Sequence, residues 1–454
     1  LSTNWRTPAL VLACAAIILA LGLGIRQSFG LFLPANVDPG WKRGDFAFAI
    51  GVSTLVWGLA QPLFGAWADR NGAGRVVAVG GILFAAGLGT MPLAATPVAL
   101  TLSAGLMVGL GLAATGFGVI LGVVGRAFAP ERRAVALGIA SSGASFGQFL
   151  ALPLGPLLTS TLGWQATLLV LAGIALATVP LASAMVEPRT SAPAPGDRLS
   201  LAETLRQARA HAGFRYLTAG FFVSGAQIAF ILGHLPAYLL EVRMTPAVGA
   251  TALALIGVSS VAGCVVSGYL GGRLSKKVLL SGIHVLRALL VALFLGLPVS
   301  PPTVYLFAAG IGFLWLGTVP LASALVLHLF GARFACTLLG VLFLAYQLGG
   351  FAGMWLGGHS LGAGNSYDPV WAAGMALGVV AALLNLLIDE RPLAHAGPGE
   401  PRPGSRSRRA APWWIGFAIL CPVLALLALR GYYAPSVLID FANIKLCAFA
   451  AVTA

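Results

Sequence analysis

The sequence predicts an all-helical integral membrane protein with twelve spans in two six-helix halves. Three observations predict it. Only 9% of the 454 residues are charged and the mean hydropathy is +0.92, whereas a water-soluble domain carries about 25% charged residues to cover its surface. Apolar segments long enough to cross a bilayer core about 30 Å thick recur along the chain with short polar breaks. Six such segments come first, then a long polar stretch, then six more.

In the first half, residues 5–187, the segments fall at 8–34, 45–68, 76–95, 97–125, 134–160 and 165–186. The first is too long for the apolar region of a signal peptide and is expected to be the first span. The polar stretch EPRTSAPAPGDRLSLAETLRQARAHAG, 187–213, marks a linker over 188–213. Ser200 and Glu203 stand there at capping-box spacing and open a short basic helix. In the second half, residues 214–391, the segments fall at 214–240, 247–272, 278–298, 302–330, 334–358 and 370–388. A basic flexible linker is expected over 392–412, followed by an extra apolar tail over 413–454.

The halves repeat. IGVST at 50–54 returns as IGVSS at 256–260, and at the same offset of 206 Gly65 falls on Gly271 and Arg70 on Lys276. A second match, offset by 202, sets Gly138, Gly147, Leu154 and Gly155 against Gly340, Gly349, Leu356 and Gly357. Duplicated six-span halves with a site between them at mid-membrane form a transporter architecture.

Charge fixes the expected orientation. With the amino terminus inside, twenty Lys and Arg residues lie at the inner face, against Lys42, Arg43 and Arg243 outside. By the positive-inside rule both ends of the twelve-span core are cytoplasmic. The same loops account for the formal charge of +14, so nucleic acid is not an expected partner. Cys14, Cys264, Cys336, Cys421 and Cys447 lie in apolar stretches without CxxC spacing, which indicates neither a disulfide framework nor a zinc site.

Between the second and third spans stands GAWADRNGAGR, 65–75. It resembles the Gly-x-x-x-Asp-Arg-x-Gly-x-x-Arg loop of the major facilitator superfamily, and it sits where that family has it. The resemblance extends over residues 5–391 and implies the major facilitator fold, with Gly65, Asp69, Arg70, Gly72 and Arg75 as a conformational-switch loop. Physically, a tight glycine turn needs Gly72 and Gly74, while Asp69 beside Arg70 and Arg75 can pair with neighbours or a helix terminus in one conformation and release in the other. The equivalent GGRLSKK at 271–277 keeps only the positive charge.

Within the superfamily, SFGLFLP (28–34), GWKR (40–43), QPLFGAWADRNGAGR (61–75) and ALGIASSG (136–143) with GW at 163–164 resemble the monocarboxylate-transporter-like and oxalate/formate-antiporter-like group. That resemblance implies a small organic anion as substrate. The eighth span, where such carriers often hold a substrate-binding Arg, has none between Ala247 and Leu270.

Polar residues inside spans are the candidate site. Arg26 lies deep in the first span, where a lone guanidinium costs about 3 kcal/mol or more unless paired or wet. Its fork matches a carboxylate, so it is the expected anion anchor. Gln27, Gln148, Gln227, Tyr346 and Gln347 are expected to line the cavity, with interhelical hydrogen bonding as the alternative. His234 is a candidate proton carrier or an interfacial histidine. Arg287 and His284 are expected to be structural, snorkelling to the inner end of their span. None of the thirteen acids falls in the middle of a core span. Coupling then runs through the substrate anion, through His234, or through exchange.

These readings combine into a monomeric secondary transporter of the bacterial inner membrane, moving a small organic anion by alternating access without a cofactor. An exporter of a hydrophobic or cationic compound would call for an acid in the cavity, and a membrane enzyme for a nucleophile, metal or acid cluster at mid-membrane. A receptor that transports nothing is the remaining alternative.

Overall fold

The computed structural model describes residues 5–29, 43–187, 200–362 and 368–392. The tail expected at 413–454, and most of the two linkers, lie outside the described residues. Eleven described helices are long and apolar enough to cross a membrane, and Val370–Leu386 is a shorter apolar helix that completes a set of twelve. Among the described residues no strand occurs.

The first half opens with Pro8–Ser28, capped where Thr7 Oγ1 accepts the Leu10 N–H. The second span, Arg43–Asn71, runs to within one residue of the third, Ala73–Thr90. The polar loop expected there is therefore wound into the helix ends. Only Gly72 is left as the turn, at φ 94°, a left-handed conformation that costs other L-residues about 1–2 kcal/mol. The fourth span, Pro97–Ala127, contains a π-helical stretch at Thr101–Met107 and a break at Thr115–Gly116. The fifth and sixth run together as Pro130–Leu176, turned at Gly163, where φ is 77°.

Between the halves lies the short helix Leu201–Ala210. Its cap is one-sided: Ser200 Oγ accepts the Glu203 N–H, but the Glu203 carboxylate turns to Arg206 and Gln207 instead of closing the box. The second half follows as Ala212–Glu241, Pro246–Gly271, Lys276–Gly296, Pro301–Phe330, Ala335–Gly362 and Asp368–Leu386. Its fourth member, the tenth span, breaks between Trp315 and Thr318, as the fourth span does.

Glycine sets the helix packing, because a bare Cα lets backbones close up. Gly143 and Gly147 of the fifth span sit on the Ala16 and Ala20 carbonyls of the first. Gly349 and Gly353 of the eleventh sit likewise on Phe222 and Ala226 of the seventh. Both sides of this contact are offset by 206, so Gly147 corresponds in space to Gly353. The pairing of Gly147 with Gly349 read from the sequence is off by one helical turn. Large side chains such as Leu63 and Leu306, 71% and 70% exposed, point outward, where lipid tails are as apolar as leucine. Innermost are the fourth and tenth spans, each with 89% of its central window buried.

Candidate functional site

The two halves meet along two seams. Spans two and eleven approach where Gly65 faces the Cys336 carbonyl, Gly340 the Gln61 carbonyl, and Gly58 the Gln347 side chain. Spans five and eight approach where Gly138 faces Gly268, Ser145 Oγ donates to Ser260 Oγ (3.0 Å), and Phe149 covers Gly257. Between the seams, Phe117 of the fourth span stacks on Phe343 of the eleventh, ring centroids 5.1 Å apart. These contacts lie from the end carrying the 65–75 loop up to mid-span. Farther on, Gly51 faces open space, with nothing within 4 Å of where a Cβ would stand. Among the described residues the seam of spans two and eleven is therefore not continued at Gly51.

At the closed end, Asp69 is the centre of a charged lock. Its carboxylate is wholly buried and accepts from Arg126 Nη1 (3.0 Å), the Thr337 N–H (2.8 Å), Thr337 Oγ1 (2.7 Å) and the Cys336 N–H (3.3 Å). The last three belong to the amino-terminal turn of the eleventh span, where unsatisfied N–H groups and the helix dipole favour an anion. Arg126 also grips Glu187 in a fork, Nε to Oε1 at 2.6 Å and Nη2 to Oε2 at 2.9 Å, and donates to the Ala332 carbonyl and Cys336 Sγ. Two carboxylates and one guanidinium therefore tie the ends of spans two, four and six of the first half to the start of the eleventh span and the turn before it. Of the predicted switch residues, Gly65 and Asp69 sit in the lock and Gly72 makes the turn. Arg70 and Arg75 are exposed, so the cation that meets Asp69 is Arg126, 57 residues away. Sequence reasoning counted Arg126 only as an inner-face charge and placed Glu187 at the start of the linker. The one available signal was that both cap the inner ends of spans.

Farther along, Arg26 Nη2 donates to Thr54 Oγ1 (3.0 Å), and its Nε is buried without a hydrogen-bond partner. Its carbon Cζ lies 5.7 Å from the Phe29 ring. Among the described residues no carboxylate pairs with it. Gln27 is half-buried beside it. Gln148 Oε1, Gln347 Nε2, Gln61 Oε1 and Trp57 Nε1 are buried and likewise unpartnered. These atoms come from spans one, two, five and eleven, the spans that border the seams. Buried donors and acceptors left unmet are costly unless something polar meets them. Tyr346, half-buried, accepts the Trp315 indole N–H (3.0 Å).

Two predicted residues are placed elsewhere. Gln227 donates to the Gly374 carbonyl of the twelfth span (2.7 Å) and packs beside Trp371 inside the second half. Its Nε2 holds helices together, which was the alternative weighed for it, while its Oε1 is buried without a partner. His234 lies near the far end with Nε2 3.2 Å from the Met354 carbonyl and its ring tilted on Phe230. The snorkelling expected of Arg287 and His284 is not what the structure shows. Both are about 1% exposed, and Arg287 turns inward to the break in the tenth span.

Two six-helix halves, packed along two seams and locked by charge at one end, have the architecture of a multi-pass membrane transporter. Residues 9–354 match the profile of the Major Facilitator Superfamily, and the chain belongs to that superfamily. It is 30% identical over 352 residues to Monocarboxylate transporter 13 of Rattus norvegicus, covering 75% of this chain and 79% of the relative. The fold matches the E. coli fucose:proton symporter FucP at a TM-score of 0.63 and 16% identity, over 83% of this chain and 98% of the other. It matches the human organic anion transporter MFSD10 (TETRAN) at 0.60 and 17%, over 85% and 100%.

Proposed function

We propose that the protein is a secondary active transporter of a small monocarboxylate-like anion, working by alternating access across a bacterial inner membrane with both ends of the twelve-span core inside. The observation that carries this reading is Arg26. Its guanidinium has a single neutral hydroxyl as partner and one buried N–H unmet. A carboxylate supplies the bidentate acceptor that this fork lacks. Gln148, Gln347 and Tyr346 supply donors and acceptors around it, and Gln27 flanks it. The similarity to monocarboxylate transporters supports the same substrate class. With the positive loops inside, the lock at Asp69 is the cytoplasmic gate, and it is closed.

The test is uptake of radiolabelled acetate, propionate, lactate and pyruvate into proteoliposomes, with and without a pH gradient. Arg26→Ala and Arg26→Lys are expected to reconstitute normally and to abolish uptake; unchanged transport by both sinks the assignment. His234 is the proposed proton carrier. If the gradient drives uptake in the parent and equally in His234→Gln, the proton travels by another route.

A further inference from the structure

Arg287 has no part in the reading above, yet it heads the largest fully buried side chains of the protein. Its Nη2 donates to the carbonyls of Leu314 (2.7 Å) and Trp315 (2.6 Å), and Nη1 to Ser224 Oγ (3.0 Å) of the seventh span. Those carbonyls precede the break in the tenth span, where the Val319 N–H turns to the Leu316 carbonyl (3.0 Å). The break deprives the Trp315 carbonyl of that i+4 partner, and Arg287 together with the Thr318 hydroxyl (3.3 Å) takes its place.

A break of this kind does not require a cation. In the fourth span the Thr115 N–H (3.0 Å) and Oγ1 (2.8 Å) both return to the Gly111 carbonyl. The third span there presents Gly80, where a Cβ would meet Ala114 and Thr115. The second half has put a positive charge where the first has bare glycine. Among the described residues no carboxylate pairs with Arg287, and its Nε is unpartnered.

Arg287 is linked through its neighbours to the seam between the halves. The residue whose carbonyl it holds, Trp315, donates its indole N–H to Tyr346, and Tyr346 packs beside Phe343, which stacks on Phe117 across the seam. A continuous set of contacts runs from the buried guanidinium to the surface where the halves meet.

We infer that Arg287 is a positioning residue and second cationic determinant of the central site: its clamp on the broken tenth span holds the Trp315–Tyr346 pair beside the seam between the halves, and its unneutralised charge behind that pair favours an anion. This rests on the anionic-substrate reading. In surroundings of low dielectric a charge acts beyond contact distance with little screening by salt. The charge therefore contributes to affinity for a carboxylate and not for a neutral isostere.

The experiment uses the full chain in proteoliposomes, with lactate as substrate and lactamide as neutral competitor. The KM for lactate and the inhibition constant for lactamide give a charge preference. Arg287→Met is expected to raise the lactate KM about tenfold and to reduce the charge preference by the same factor, with Vmax within about twofold. Arg287→Lys, which keeps the charge but not the fork, is expected to restore most of the preference. A purely structural role moves both ligands together, so an unchanged preference in a folded Arg287→Met overturns the inference. Tyr346→Phe covers the case in which that variant fails to fold: it leaves the clamp in place, cuts the last link, and raises the lactate KM with the preference kept. An unchanged KM there also overturns it. If the parent transports lactate normally while these variants match it, only this inference falls. If the parent moves no carboxylate, the anionic reading falls and takes the inference with it.

Discussion

Replacing Asp69 by Asn leaves the shape of the lock and removes its charge. The carboxylate accepts four hydrogen bonds, with Oδ2 facing both the N–H and the hydroxyl of Thr337 and Oδ1 facing Arg126 and the Cys336 N–H. An amide must turn a donor toward one of these sets of donors. Breaking a buried ion pair by removing one partner costs about 3–5 kcal/mol. The lower end applies, because Arg126 keeps its fork on Glu187 and Asn keeps one acceptor. A loss of about 3 kcal/mol, at 1.4 kcal/mol per decade, shifts the gate equilibrium about a hundredfold toward opening. Cys336 reports it. The thiol lies beneath Arg126 at 0% exposure, so alkylation must wait for the gate to part. In a background with Cys14, Cys264, Cys421 and Cys447 changed to Ser, Asp69→Asn is expected to raise the rate of Cys336 modification by N-ethylmaleimide about a hundredfold. A rate equal to that of the parent, in a variant of unchanged melting temperature, refutes the assignment of Asp69 as the lock.

Further outcomes follow from the same geometry. Arg126→Lys keeps the charge but cannot hold Glu187 with two parallel bonds, so its Cys336 modification rate is expected between those of the parent and Arg126→Ala; equality with Arg126→Ala would show that the charge by itself contributes nothing. Gly65→Ala and Gly340→Ala each put a methyl group against the facing backbone. Overpacking costs about 1–3 kcal/mol and is expected to bias the protein toward the gate-open state in the same assay, whereas Gly51→Ala, which meets nothing, leaves the rate unchanged. Ser200→Ala removes the linker-helix cap, worth about 1 kcal/mol; hydrogen exchange at the Glu203 amide rises while transport in proteoliposomes is unaltered.

The spans were legible because each must satisfy its own backbone within lipid, and a run of apolar residues is the direct record of that requirement. The turn at Gly72 was legible for a similarly local reason, since a glycine between two helix ends can take a positive φ. Arg126 and Glu187 were not. Each ends a span as ordinary inner-face charge does, and nothing along the chain brings them to Asp69 or to a helix terminus 267 residues further on. Arg26 stands out in the sequence as a lone cation deep in the first span, and the structure shows it half-buried, but its partner Thr54 and the nearby Trp57 look like any small or aromatic residues of a span. Gln227 and Gln148 could not be told apart by type or depth. Which way each glutamine points depends on helix rotation, and the neighbouring helices set that rotation.

The sequence by itself determined the solvent of this protein, its count of spans, the duplication and the side on which its charge collects. Each of those follows from transfer of residues between water and hydrocarbon, a property that adds up along the chain. Only the tertiary structure decided which of the few buried charges are satisfied and which are left open. Asp69 is met by a helix terminus and an arginine, Arg287 by the carbonyls of a broken helix, and Arg26 by one hydroxyl. The same residue type in the same apolar setting is met by several acceptors or by one according to what the opposing helices present, and that is fixed only when the twelve helices pack.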